Sequence, residues 1–264
     1  MDATDQRLDR ELSTLRGLDS WLRTPAACAA QPNSDLSADA SRLPDIWATS
    51  VVHRSLTHAV ECLSAAGAVI PGGEWIHAPF VLLRGAYESA ALAEWLLEPD
   101  SVDVRLTRLI AQHEDSWKYS AKAYSGTTLE DGGLHDERRQ YVTRMIEVAG
   151  VDPSECRLPG FERLIESVDD FPGLGKSFLT AWLLCSGVSH AKTWALNAVS
   201  VEVDRTGEFE HGHITARVAN PGLAVTLLGV ARRTVERARA LCAIRTTARP
   251  HSIRAEMRSI PTGG

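Results

Sequence analysis

The chain has 264 residues, 44% of them hydrophobic and 23% charged, with a formal net charge of −6. This ordinary globular composition excludes a disordered chain, a collagen-like chain and a disulfide scaffold. The length suits one large domain with appendages.

Leu8, Leu12, Leu15, Leu18 and Leu22 recur at helical spacing with charges between them, which predicts an amphipathic helix over residues 4–22. Residues 23–44 carry Pro25, Pro32 and Pro44 among small and polar residues and read as a long irregular connection. A second helix is expected over about 45–70, stopped by Pro71-Gly72-Gly73, and a third over about 75–97, stopped before Pro99. A fourth runs from about 101 to 124, and a polar, glycine-containing stretch separates it from a fifth over 134–149. A short helix over 161–168 and a turn at Phe171-Pro-Gly-Leu-Gly lead into a sixth long helix, about 176–200. There the period changes. Val199, Val201 and Val203, then Ile214, Ala216 and Val218, alternate with other residues, as in a small β-hairpin over about 199–218. A last long helix spans about 223–247, and 248–264 is a flexible tail. The fold expected is all-α: a multi-helix bundle domain over 45–247 with a small β-hairpin before the last long helix, preceded by a helix and linker over 1–44.

The five cysteines, Cys28, Cys62, Cys156, Cys185 and Cys242, are odd in number, far apart and never spaced C-x-x-C. That argues against a disulfide framework or a cysteine zinc site and for a cytoplasmic protein. No segment has the apolar core of a signal peptide or the about 18 uncharged apolar residues of a membrane span. No metal or cofactor is expected. His53 and His58 do not share a helix face, and His211-Gly-His213 lacks a third ligand. Gly173-Leu-Gly-Lys-Ser177 has Asp170 where a phosphate-binding loop needs its first glycine, and a helix precedes it rather than a strand.

The third helix is apolar almost all round, and a helix of that kind is buried. At about 100° per residue, Arg84, Tyr87, Glu88 and Trp95 share one of its faces. Arg84 and Glu88 stand at i and i+4, where side chains meet. The sixth helix is equally apolar, with Ser186 and His190 one turn apart on one stripe and Lys192 as the single formal charge from Ser177 to Val201. Two such helices both belong at the centre of a bundle. Their packing would unite Arg84, Glu88, Ser186 and His190. Two readings fit: a buried polar network that sets helix register, or a pocket. In a pocket Arg84 binds an anion, Glu88 orients it and His190 moves a proton, with Tyr87, Trp95 and Trp194 as walls.

Arg108-Leu-Ile-Ala-Gln-His113 is an R-x4-H pattern on the fourth helix. It resembles the motif of the HEPN superfamily, helical proteins that are often nucleases in toxin–antitoxin and phage-defence systems. The departures are Leu109, where the family usually has a polar residue, and a motif that lies mid-chain. The R-x-x-x-E helix (Arg84, Glu88) followed by an S-x-x-x-H helix (Ser186, His190) is similar to uncharacterised bacterial proteins of that type. The resemblance implies a homodimer that cleaves RNA without metal, with Arg108 and His113 as catalytic residues. A non-catalytic binding or regulatory protein and a small-ligand pocket protein remain open alongside it.

The charge is unevenly spread. Residues 221–264 hold eight Arg and two acids, whereas residues 1–220 hold 20 basic and 32 acidic residues. Arg232, Arg233, Arg237, Arg239 and Arg245 of the last helix either pair with acids of the same fold or contact nucleic acid, and Arg249, Arg254 and Arg258 lie on the tail.

Overall fold

The structure, a computed structural model, describes residues 3–24, 26–71, 74–130, 134–168, 177–209 and 212–248. Their helices are, in chain order, α1 (Ala3–Leu22), α2 (Asp35–Arg42), α3 (Ala48–Val69), α4 (Ala78–Leu97), α5 (Val102–Tyr124), α6 (Leu134–Ala149), α7 (Phe161–Val168), α8 (Ser177–Ser189) and α9 (Thr193–Ala198). Strands β1 (Ser200–Phe209) and β2 (Gly212–Ala219) and the final helix α10 (Pro221–Thr246) complete the order. The fold is all-α with one two-stranded antiparallel hairpin, Ser200 opposite Ala219.

Helix α4 is the axis. Leu83, Ala86, Tyr87, Ala90, Ala91, Ala93 and Leu97 are all fully buried. The alanines keep the helix thin, so α3, α10, α8, α7 and α5 all pack against it. Burial of apolar side chains on this scale is the main favourable term of folding, about 1.5–3 kcal/mol for each large one. Close approach elsewhere depends on two glycines. A Cβ on Gly67 of α3 would lie 2.4 Å from Cδ2 of Leu12, and one on Gly229 of α10 would lie 2.9 Å from Oε1 of Glu11. Both therefore seat α1, which buries Leu8, Leu15, Leu18 and Leu22 in the common core. The bundle thus extends upstream of residue 45 to take in α1 and α2.

The structure corrects two elements of the sequence reading. Part of the irregular connection 23–44 is helical. Ser34 caps α2 by accepting from the N–H of Ser37, and Asp39 on its inner face meets Arg105 of α5. That pair is bidentate, with Nε to Oδ2 and Nη2 to Oδ1 both at 2.7 Å, and both side chains are almost completely buried. Arg105 also donates Nη1 to the carbonyls of Pro99 and Asp100. Arg245 of α10 holds the other side of the same corner through Asp35, Asp100 and the carbonyls of Leu97 and Glu98 at the end of α4. An eight-residue helix is too short to stand alone. Contacts from distant parts of the chain hold it, and local periodicity does not show them.

The second correction concerns the expected helix over 176–200, which is two helices. Ala191 takes φ 51° and ends α8 in a Schellman turn, with Lys192 N–H bonded to Gly187 O at 2.8 Å and Ala191 N–H to Val188 O at 2.9 Å. Gly187 permits the fold-back, since a Cβ there would lie 2.6 Å from that of Ala195 and 2.8 Å from the ring of Trp194. His190 is the last residue before the left-handed one, at the C-terminal cap of α8.

Removing one partner of the Asp39–Arg105 pair leaves an uncompensated buried charge. Arg105→Met is expected to lower unfolding free energy by about 3–5 kcal/mol in urea denaturation. A loss below about 1 kcal/mol would show that water reaches this corner.

Candidate functional site

Helices α4 and α8 bring four polar side chains together. Arg84 donates Nε to Oε1 of Glu88 at 2.8 Å, and its Nη1 lies 3.2 Å from Nε2 of His190, 106 residues away in sequence. Trp182 donates Nε1 to the same Glu88 oxygen at 3.1 Å. A guanidinium has only donors, so Nε2 of His190 accepts and the ring proton sits on Nδ1. The Arg84 and Glu88 side chains are 27% and 18% exposed, and His190 is exposed. The cluster is therefore a partly solvated seam rather than a sealed ion pair. Trp182, Ser186 and His190 follow at steps of four on α8, and Ser186 is half-buried between the other two in sequence.

The end of α8 places His190 there. The Schellman turn leaves the ring at a helix C-terminus, whose dipole favours a nearby cation such as Arg84.

Of the three aromatic residues expected as walls, Tyr87 and Trp95 point elsewhere. Tyr87 is fully buried, donates its hydroxyl to the Leu227 carbonyl at 2.6 Å and stacks at 5.2 Å on Phe178. It lies one residue, about 100° of turn, from Glu88, which aims it into the core. Burial pushes its hydroxyl well above the usual phenol range. Trp95 lies two turns beyond Glu88 and carries the Arg108 guanidinium 4.8 Å over its ring. Trp194 is more than half exposed and packs against Gly187.

Arg108 and His113 are five residues apart on α5, about 140° round the axis. Arg108 donates to the carbonyl of Trp95 and, at 3.3 Å, to Glu98. Burial pulls its guanidinium down, and Glu98 opposes that shift. His113 instead faces α3 and α6, with its ring 5.8 Å from that of Trp117. Burial first, and the positive charge of Arg54 second, hold it neutral, down to about 4. Within one chain, then, Arg108 and His113 serve different neighbours.

The basic face of α10 is largely turned inward. Arg232 pairs with Glu11 and Glu236, and Arg237 with the fully buried Glu94 at 2.6 Å. Arg245 is 6% exposed. Arg239 lies 5.8 Å over the ring of Trp21. Arg233 is half-buried, and its Nε has no hydrogen-bond partner among the described residues. Arg249, Arg254 and Arg258 lie outside the described residues, as do His211 and Gly173–Lys176 of the two weaker motifs.

Sequence reasoning missed Trp182. Its position, two four-residue steps before His190, was the available signal. Sequence reasoning weighed His58 only as a metal ligand, whereas its Nδ1 lies 2.7 Å from Oγ of Ser89 and its Nε2 3.7 Å from Sγ of Cys62. That group lines the α3–α4 seam, where Gly85 leaves room for it.

No family model, curated protein or solved structure matches this chain. Among the described residues, no group of three or more His, Cys, Asp or Glu is arranged to hold a metal ion, and no helix is long and apolar enough to cross a membrane.

His113 gives the site region a pH signature. The folded ring titrates near 4 and the unfolded one near 6.5. Between those values the unfolded chain holds more protons. The stabilisation from the neutral buried ring is thus complete above 6.5 and is lost as pH falls towards 4. An NMR titration of the His113 ring is expected to show a midpoint near 4, and His113→Gln to flatten the stability profile over that window. A midpoint near 6.5 would show a solvated ring.

Proposed function

We propose that the protein is a HEPN-like helical protein whose working site is the Arg84–Glu88–His190 cluster, and that it cleaves RNA by metal-independent phosphodiester chemistry. One observation carries this reading: the arginine–histidine contact between Nη1 of Arg84 and Nε2 of His190, made between two helices at a solvent-reached seam. The resemblance in sequence points to an Arg–His pair at R-x4-H. Arg84 and His190 are an arginine and a histidine within hydrogen-bond distance of each other.

The roles follow from the hydrogen bonds. His190, unprotonated at Nε2, takes the proton of a ribose 2′-hydroxyl once the substrate phosphate draws Nη1 of Arg84 off that nitrogen. That oxygen then attacks the adjacent phosphorus, the 5′-oxygen leaves and takes a proton from water, and the products are a 2′,3′-cyclic phosphate and a 5′-hydroxyl end. Arg84 stabilises the charge that builds on the phosphoryl oxygens. Glu88, anchored by Trp182, holds the guanidinium plane in position and binds no substrate itself.

A second reading rests on a different observation. Glu88 already neutralises Arg84 and ties it to Trp182. On that reading the cluster is a structural clasp between α4 and α8, and the protein binds a partner without catalysis.

The two are separated by incubating purified protein with labelled single-stranded RNA in excess chelator. The catalytic reading expects cleavage to cyclic-phosphate ends, reduced by about 100-fold or more in His190→Ala with unchanged melting temperature. It also expects Arg84→Lys to remain impaired, since an ammonium cannot reproduce the planar fork. Intact RNA with the wild-type protein, together with a lowered melting temperature in Glu88→Ala, would select the clasp.

A further inference from the structure

A second constellation lies away from α4 and α8, where α5 and α6 meet the start of α3. Two clefts of about 440 and 450 Å³ lie on either side of a wall formed by Trp117 and Arg138. A third, of about 220 Å³, adjoins the 450 Å³ cleft through His113, Asp45 and Ile46 and opens beside Trp47 and Arg54. The larger two fall within the range of small-molecule and cofactor sites.

Three features of the lining converge. First, the aromatic rings form a ladder. His113 and Trp117 are 5.8 Å apart, Trp117 and Tyr141 are 5.4 Å apart, and the Arg144 guanidinium lies 5.7 Å over Tyr141. Helix α5 supplies His113 and Trp117 at i and i+4, and α6 supplies Arg138, Tyr141 and Arg144 at three-residue steps, so each helix turns one face to the cleft. Secondly, guanidinium groups are at hand. Arg138 and Arg144 line the cleft that holds Trp117 and Tyr141, against Asp45 and Glu137, and Arg54, Lys118 and Arg139 line the neighbouring clefts, against Asp45 and Glu114. Arg138 is positioned by donating Nη1 to Oγ of Ser120 at 3.2 Å. Thirdly, His113 lines two of the clefts, and its Nε2 is buried within their wall with no hydrogen-bond partner among the described residues. A buried polar atom left unpaired is costly to fold, and a ligand group that bonds it recovers that cost.

Flat π-faces select a planar ring, guanidinium groups select a phosphate, and an imidazole nitrogen at depth selects a hydrogen-bonding edge on the ring. A nucleobase joined to a single phosphate has all three. We infer that the α5–α6 cleft binds a nucleoside monophosphate, with the base against Trp117 and Tyr141, the phosphate at Arg138 and Arg144, and a polar edge of the base on Nε2 of His113. The cleft's size favours one nucleotide over a strand. This site is separate from the Arg84–His190 seam and does not depend on the reading of that seam.

Isothermal titration of the full chain with AMP, GMP, CMP and UMP tests it, with the matching nucleosides and inorganic phosphate as controls. At least one nucleotide is expected to bind one-to-one, about tenfold or more tighter than its nucleoside and than phosphate. Trp117→Ala is expected to weaken binding by about tenfold or more. Trp117 is packed, so Arg144→Glu, at an exposed position, serves as the variant that leaves the core alone, and the same loss is expected there. His190→Ala should bind as the wild type does. The inference is overturned if no nucleotide binds up to about 1 mM, if phosphate alone binds as tightly, or if Arg144→Glu leaves affinity unchanged. Binding of a single-stranded oligonucleotide without any mononucleotide would likewise overturn it.

Discussion

Helix α4 has almost no side that faces water, and most of the architecture follows from that constraint. A helix packed on by five others can keep polar groups only where each finds a partner. Glu94 meets Arg237, the Tyr87 hydroxyl meets the Leu227 carbonyl, and the carbonyls of Leu97 and Glu98 at the helix end meet Arg245. All of these partners come from α10. The basic residues that make the C-terminal helix look like a polyanion-binding element are to a large extent what satisfies the central helix and the acids around it. The uneven charge along the chain is thus partly the trace of an intramolecular pairing between its two ends.

The polar residues of α4 that reach the surface acquire their meaning by contrast. Arg84 and Glu88 lie where α8 stops short, and His190 stands at that helix's C-terminal cap. The seam is polar because Arg84 and Glu88 of α4 meet Trp182 and His190 across it. On α5 the same physics works differently. Arg108 is drawn onto the end of α4 by Trp95 and Glu98, while His113 is turned by its 140° offset towards α6. Two residues that form a compact motif in sequence are therefore assigned to different surfaces by the pitch of a helix.

Much of the fold was legible in the sequence. Apart from the sixth, the long helices have the expected residues within a few positions at each end, and the switch from helical to alternating periodicity marked the hairpin. The adjacency of α4 and α8 could be anticipated from composition alone, because two helices apolar on every side compete for the same central space. The orientation of individual side chains could not. A helical wheel drawn broadly enough to hold Arg84 and Glu88 also took in Tyr87 and Trp95, yet a shift of one residue sends Tyr87 into the core, and two turns carry Trp95 out of reach. Trp182 was passed over because a tryptophan in an apolar helix reads as packing, although its ring N–H anchors Glu88.

What the sequence determined by itself was the set of local choices: helix or strand, where glycine and proline end an element, and which helices must be buried. These depend on periodicity and on neighbours a few residues away. Tertiary structure decided the rest. It made a helix of residues 35–42, because Asp39 and Asp35 are claimed by Arg105 and Arg245 from the far side of the chain. It broke the sixth long helix, because Gly187 accepts Ala195 and Trp194 against its bare backbone. It also chose which arginine meets which histidine, because a contact across 106 residues is fixed by packing directions that no short window of sequence contains.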